Sequence, residues 1–360
     1  MTRPLQYPAG DLSVMLADRI EAVVDALHID VKHRTRRTLE CFAPWDGHHK
    51  PKLIVELFPT PGKWNEWIGG KWGDALDLVA CALGNGEKDR KAAYQWALEF
   101  LGLKRERDPE WDNRLAASRA AAAQRAVAAE LQLGEARRRM FARWLRCQQL
   151  QPGDYGWTYL DRRGIPLGEL PRPVRAIRLG VVEKWIDPHH ADPDHFGPAL
   201  CTAMTLGDGT FGSLHRTWID PTRPGEKADL ALPRKMFPDA MGAAMRLWRG
   251  ASGLSVRDAV AKGIEEEGAV AEGVEDGLSV ALMKPELRID AAGSLGGLLA
   301  YTPSPTVKRL TICADNDWSN PQAQPLLDRA CRRLVDEFGL EVAVARSPEG
   351  KDFNDLLRGA

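Results

Sequence analysis

GAVAEGVEDGLSVALMKPELRIDAAGSLGGLLA, residues 268–300, decides how the last third of this 360-residue chain folds. GAVAEG (268–273) is a short apolar run bounded by glycines, the composition of a buried strand. EDGLSVALMK (275–284) predicts a helix, RIDAAG (288–293) a second strand, and SLGGLLA leads into a short helix. Further on, KRLTICAD (308–315) gives a third strand. PLLDRACRRLVDEFG (325–339) sets Leu326, Leu327, Ala330, Leu334 and Phe338 along one side of a helix. LEVAVA (340–345) is a fourth strand, and DFNDLLRG (352–359) follows it. Strands alternating with helices imply a parallel sheet with right-handed crossovers, and its functional crevice lies beyond the carboxyl ends of the strands.

Acidic residues fall at those ends. Glu272 follows the first strand, Asp315 and Asp317 follow the third with only Asn316 between them, and Asp352 and Asp355 follow the loop after the fourth. Two carboxylates at D-x-D spacing just after a strand project toward one point, a hard-oxygen site suited to Mg2+ or Mn2+. Bringing Glu272 alongside places like charges close together, which is costly unless a divalent cation neutralises them or one group stays protonated. A metal in that position suits phosphoryl transfer. One aspartate at a strand end is ordinarily a turn or helix cap; that explanation fits the set of three less well.

VAEGVED (270–276), SLG (294–296), ICADND (312–317) and GKDFND (350–355), in this order and spacing, resemble the Toprim domain. That domain is shared by bacterial and phage primases, topoisomerases, OLD-type nucleases and recombination proteins, and the resemblance covers residues 255–360. It implies that Glu272 is the acid/base glutamate, able also to hold a second metal, and that Asp315 and Asp317 are the Mg2+ ligands. Asp276 matches an aspartate that primases often place four residues after the glutamate and joins Glu272 as a catalytic candidate. Upstream, FGSLHRTWIDPTRPGEKADLALPRKMF (211–237) and GAAMRLW (242–248) resemble the segment before Toprim in phage- and plasmid-type primases. The likeness carries Arg216, Arg234 and Lys235 over as holders of template phosphate or incoming triphosphate. Lys235 reads equally well as a surface charge of a β-hairpin.

The resemblance also reaches the other end of the chain. CFAPWDGHHKPKLIV (41–55) resembles the first Cys/His knuckle of a primase zinc ribbon, and GDALDLV (73–79) the helix after it. Cys41 and His48 or His49 stand as remnants, but WNEWIGGKWG (64–73) occupies the place of the second cysteine pair. A structural zinc needs four protein ligands, so no zinc is expected here. Trp64, Trp67 and Trp72 are read as core packing in place of the metal, in preference to an exposed base-stacking platform.

Between these ends, residues 106–147 are rich in Ala, Arg and Glu with no proline after Pro109, a long helix by propensity. IRLGVVEKW, ALCTAMTL and GTFGSLHRTWID read as short strands of a largely antiparallel region. DPHHADPDH (187–195) gathers three His and three Asp but reads as a loop without a scaffold for a metal. The expected class is therefore α/β, with a C-terminal Toprim domain built on a four-stranded, mainly parallel sheet flanked by helices. The expected divisions are a degenerate zinc-ribbon-like, α+β nucleic-acid-binding domain (1–104), a helical linker (105–150), a β-rich primase-core subdomain (151–254) and the Toprim catalytic domain (255–360).

Composition narrows the function further. Lys+Arg 49 against Asp+Glu 50 gives a net charge of −1, so nucleic-acid affinity must come from local patches. No apolar run reaches the roughly 18 residues of a membrane span, and the opening residues lack a signal-peptide core; a cytoplasmic location with no membrane partner is expected. The six cysteines form no C-x-x-C pair, and no P-loop is written. The expected activity is that of a DNA primase making short RNA primers by Mg2+-dependent nucleotidyl transfer. Its partners would be a single-stranded DNA template, ribonucleoside triphosphates and a replicative helicase in trans. The alternatives are a Toprim-type nuclease and a non-catalytic single-stranded-DNA-binding replication accessory protein.

Overall fold

The computed structural model describes residues 7–47, 51–66, 70–103, 108–186, 195–238, 241–316 and 323–359. The chain divides into two compact units, Met1–Gln132 and Leu133–Ala360.

In the first unit, helices α1 (Ala9–Ala17) and α2 (Ile20–Ala26) precede five antiparallel strands. These are β1 (Val31–Arg34), β2 (Thr38–Phe42), β3 (Pro51–Glu56), β4 (Trp64–Glu66) and β5 (Trp72–Gly73), paired in sequence order. Helices α3 (Ala75–Leu83) and α4 (Arg90–Phe100) follow, each opened by an aspartate. Asp74 accepts from the Asp77 amide and Asp89 from the Ala92 amide, both at 2.9 Å; such caps stabilise a helix by about 1 kcal/mol. The 36-residue helix α5 (Trp111–Arg146) begins here, sustained by its alanines. The core gathers Leu12, Leu16, Val23, Leu53, Leu78 and their neighbours, with Cys41 and Cys81 among them. Burial pushes the Cys41 thiol up to about 12, so it sits there as a small neutral hydrophobe. The tryptophans divide. Trp64 is buried, its indole N–H donating to the Asp74 carbonyl at 2.9 Å, whereas Trp72 on the edge strand β5 is 74% exposed. The core reading of Trp72 is thus corrected: a two-residue edge strand turns its ring outward. His48, His49 and Trp67 lie outside the described residues.

The second unit is built on one ten-stranded sheet. Its first elements are β6 (Gln148–Gln149), α6 (Tyr155–Arg162), β7 (Ile177–Trp185), β8 (His195–Thr205), β9 (Phe211–Trp218), β10 (Arg234–Phe237) and β11 (Ala244–Arg249). Then come α7 (Val256–Ala261), β12 (Glu266–Ala271), α8 (Val274–Met283), β13 (Arg288–Ala291), α9 (Leu295–Ala300), β14 (Val307–Ala314), α10 (Ala323–Phe338), β15 (Glu341–Arg346) and α11 (Phe353–Arg358). The main path is β10-β9-β8-β11-β13-β12-β14-β15, with β6 and β7 attached through β8. From β13 to β15 the strands are parallel, joined by α8, α9 and α10; every other pairing in the sheet is antiparallel.

The periodicities explain these layers. Central β12 is buried at four successive positions from Gly268 to Ala271, as a parallel strand covered on both faces must be. In α10 the buried residues are Leu327, Ala330 and Leu334, one stripe of an otherwise polar helix. The join between β11 and β13 was not anticipated. Met245 pairs with Ala291 and Arg249 with Arg288, so the regions expected as separate pieces on either side of residue 254 share one continuous sheet.

A candidate metal centre at the carboxyl ends of the parallel strands

Three aspartates converge where β12 and β14 end. One carboxylate oxygen from each of Asp276, Asp315 and Asp352 lies within 4.8 Å of the others. Each arrives by a different device. Asp315 is the first residue beyond β14. Asp276 stands in the first turn of α8, reached from β12 through Glu272 and Gly273. A Cβ on Gly273 would sit 3.3 Å from a carboxylate oxygen of Asp276, so glycine there permits the close approach.

Asp352 is the N-cap of α11. Its Oδ1 accepts from the Asp355 amide at 2.9 Å, while Asp355 reaches back to the Lys351 amide at 2.9 Å. That reciprocal pair resembles a capping box and makes Asp355 a support for the turn. Two further contacts lock the turn onto the site. Asn316 donates to the carbonyls of Ser347 and Gly350 at 2.9 and 3.0 Å. The buried Asn354 donates its backbone N–H to Asp276 Oδ1 at 3.1 Å, and its amide group donates to the Ser279 hydroxyl and the Arg163 carbonyl.

Burial, then the charges of Asp352 and Asp315, push the Asp276 carboxyl up to about 8. The cluster therefore carries one proton at neutral pH when no cation neutralises it. Burial and the same Asp276 push the Cys313 thiol beneath it up to about 12, leaving it neutral. The neighbouring Glu275 behaves oppositely. Lys227 at 3.0 Å and the Tyr159 hydroxyl at 2.6 Å outweigh its burial and hold it down at about 2. Two adjacent carboxyls thus differ in protonation because one faces cations and donors and the other faces like charge.

Glu272 and Asp315 share a cleft of about 190 Å³ with Leu295, Ala314, Ala323, Leu327 and Arg346. Arg346, on β15, donates to the backbone carbonyl of Asp315 and to Gln324. Glu272 lies beside the three-aspartate group in this cleft and is not one of its members. Asp317 lies outside the described residues. Asp352 was legible only as an acid after the fourth strand; Arg346 carried no signal at all. The donor set suits a hard divalent cation, being all carboxylate and crowded enough to repel itself when empty of positive charge.

The upstream cations are placed differently. Arg216 on β9 is half-buried, 3.5 Å from Glu183, donates to the Lys184 carbonyl at 3.2 Å and covers the Trp218 ring. It shares Glu183 with Arg143, which lies closer at 2.7 Å. Lys235 on β10 lies over the Trp185 ring, 4.1 Å from its centroid, and donates to the Ile186 carbonyl. Arg234, one residue earlier, is exposed.

Two family models match the chain: a domain of unknown function over residues 134–247 and the Toprim domain over residues 268–360. No curated protein matches it. Among solved structures it is similar to the zinc-binding and RNA polymerase domains of the Aquifex aeolicus primase, with 15% identity, coverage of 96% of this chain and 82% of that one, and a TM-score of 0.35. The primase fragment of the bacteriophage T7 primase-helicase is similar at 14% identity over 59% and 78%, with a TM-score of 0.35. A DNA primase domain from Pseudomonas aeruginosa follows at 16% over 61% and 73%, with a TM-score of 0.36. The four parallel strands, their crossovers and the acidic residues at their ends lie in the segment that the Toprim model matches, and residues 268–360 of this chain are a Toprim domain.

Proposed function

We propose that the protein is a Toprim primase, joining ribonucleotides on a single-stranded DNA template by nucleotidyl transfer. The observation that carries this reading is the convergence of Asp276, Asp315 and Asp352 within 4.8 Å beside a cleft that also holds Glu272 and Arg346. Asp276, Asp315 and Asp352, with Asp317 as a further ligand, would hold Mg2+ or Mn2+. Bound there, the cation supplies charge neutralisation for a triphosphate and for the transferring phosphorus.

The remaining work falls to the chain's own side chains. Glu272, at the rim of the cleft, is placed to take the proton of an attacking hydroxyl. Arg346 presents positive charge to phosphate oxygens entering the cleft. Arg234, exposed on β10, would contact template or triphosphate, with the Lys235 ammonium beside it over the Trp185 ring. Asn316 and Asn354 hold the two loops that carry Asp315 and Asp352, so the constellation is set before any substrate arrives.

The test is primer synthesis: full-length protein with single-stranded DNA, labelled ribonucleoside triphosphates and Mg2+ or Mn2+. Short RNA products that vanish in Asp315→Asn and Glu272→Gln, both still folded, are the expected result. A shortened template would replace this reading with a nuclease. A mobility shift without chemistry would leave only a binding protein.

A further inference from the structure

Away from the carboxylates, arginines collect where β8 changes partners. On one side β8 pairs first with β7, from His195 to Thr202, and then at Met204 and Thr205 with β11. The loop before β7 brings Arg172 to the end of β11: its guanidinium lies 5.0 Å from the Trp248 ring centroid and donates to the Gly250 carbonyl. Arg249 closes β11 directly opposite Arg288. Arg288 is neutralised, its Nε 2.6 Å from Glu266 with both side chains buried. Arg249 is half-buried and Arg175 exposed, and among the described residues neither side chain has an ion pair or hydrogen bond.

Burial, then Arg175, Arg288 and Arg172, hold the Arg249 guanidinium below its ordinary range, with Asp258 acting the other way. Like charges gathered this way are unfavourable until an anion enters, and a planar guanidinium fork fits phosphate oxygens two at a time. Arg249 faces Arg288, three residues before Ala291 and so about 10 Å short of the strand end on the carboxylate side.

We propose that Arg172, Arg175 and Arg249 form a phosphate-binding site, separate from the carboxylate centre, that grips the phosphodiester backbone of single-stranded DNA. A free nucleoside triphosphate offers the same chemistry. The site does not depend on the chain being a primase, only on three guanidinium groups that outnumber the carboxylate beside them, Asp258.

The experiment uses the full chain in buffer without divalent cations. Binding of fluorescein-labelled oligothymidylate is measured over a salt series for wild type, Arg175→Gln/Arg249→Gln and Arg175→Lys/Arg249→Lys, and ATP and inorganic phosphate are titrated in parallel. Each lost single-strand phosphate contact lowers the log–log salt slope by about 0.7, so the Gln pair should lose about 1.4 while the Lys pair keeps most of it. If instead ATP and inorganic phosphate binding weaken and the DNA slope holds, the phosphate site stands and its source is a nucleotide. Unchanged binding of all three probes would overturn the site. The Gln pair should melt at or above wild type, because it removes repulsion; a lower melting temperature with unchanged binding would mark these arginines as structural and also overturn it. Should the pair fail to fold, the exposed Arg175→Gln alone is expected to lower the slope by about 0.7, and an unchanged slope there overturns the proposal.

Discussion

Asp276 shows how one side chain can be costly to the fold and still central to the proposed site. Its carboxyl is buried, faces Asp352 and Asp315, and is pushed up to about 8. Replacing it with asparagine keeps an acceptor for the Asn354 amide and removes the repulsion. Without divalent cations, Asp276→Asn should therefore melt at or above the wild type, and the advantage should grow as the pH rises from about 4 to about 8 and level off above that, where the carboxyl is ionised in both the folded and unfolded chain. Mg2+ should raise the melting temperature of the wild type and not of the variant. The proposed nucleotidyl transfer should fall by at least ~100-fold, the upper end of what even indirect metal partners cost. Calorimetry with and without Mg2+ checks all of this; a variant much less stable than wild type without metal would mean that Asp276 serves the fold.

The position of Asp276 four residues after Glu272 was readable in the sequence. Its partner Asp352 was not readable as a partner, because that contact depends on a cap, a glycine turn and two asparagine bridges that leave no periodic trace. The surroundings of Arg216 were unreadable for a similar reason. Glu183, which it shares with Arg143, comes from β7 on the far side of β8 and beyond a bulge, where sequence distance says nothing about contact.

At the level of elements, the join between β11 and β13 is what makes the antiparallel and parallel halves one sheet. A buried ion pair crosses it. Arg246 on β11 meets Asp290 on β13, the Tyr301 hydroxyl donates to the same carboxylate at 2.6 Å, and the arginine also donates to the Thr302 carbonyl at 2.7 Å. Asp290 is 1% exposed, so losing its cation leaves a charge with nowhere to go. Arg246→Met should destabilise this unit by about 3–5 kcal/mol, whereas Arg246→Met with Asp290→Leu should cost far less, because both charges then leave together. Denaturant midpoints of the two variants measure the difference; equal losses would show that packing at the join, and not the pair, holds it.

The four parallel strands and their helices were legible because each strand is a short apolar run and each helix carries one apolar stripe. The join was not. Nothing in AMRLWR (244–249) announces that Met245 pairs with Ala291 more than forty residues on.

For the whole molecule, the two compact units and the single sheet of the second imply two unfolding events, because all ten strands from β6 to β15 must separate together. Calorimetry should resolve two transitions, and a core truncation should identify the first unit: Leu12→Ala, fully buried, should cost it about 2–5 kcal/mol. His215 identifies the second. It is buried in β9, its Nδ1 has no hydrogen-bond partner, and Glu275, Arg234, Lys227 and Arg216 surround it electrostatically. Burial lowers its pKa to about 4, with the three cations outweighing or offsetting Glu275. The folded state thus refuses a proton that the unfolded chain accepts near pH 6.5, so stability is full above that pH and falls as the pH drops toward 4. At pH 5 the penalty is about 2 kcal/mol, and His215→Leu removes it. Because Asp276 titrates in the same range with the opposite sign, the quantity to follow is the difference between variant and wild type. That gap should open by about 4–8 °C in the second transition between pH 7.5 and pH 5 while the first transition stays fixed. A gap that moves with the first transition, or does not change with pH, would show that the units do not unfold separately or that His215 is already charged in the folded protein.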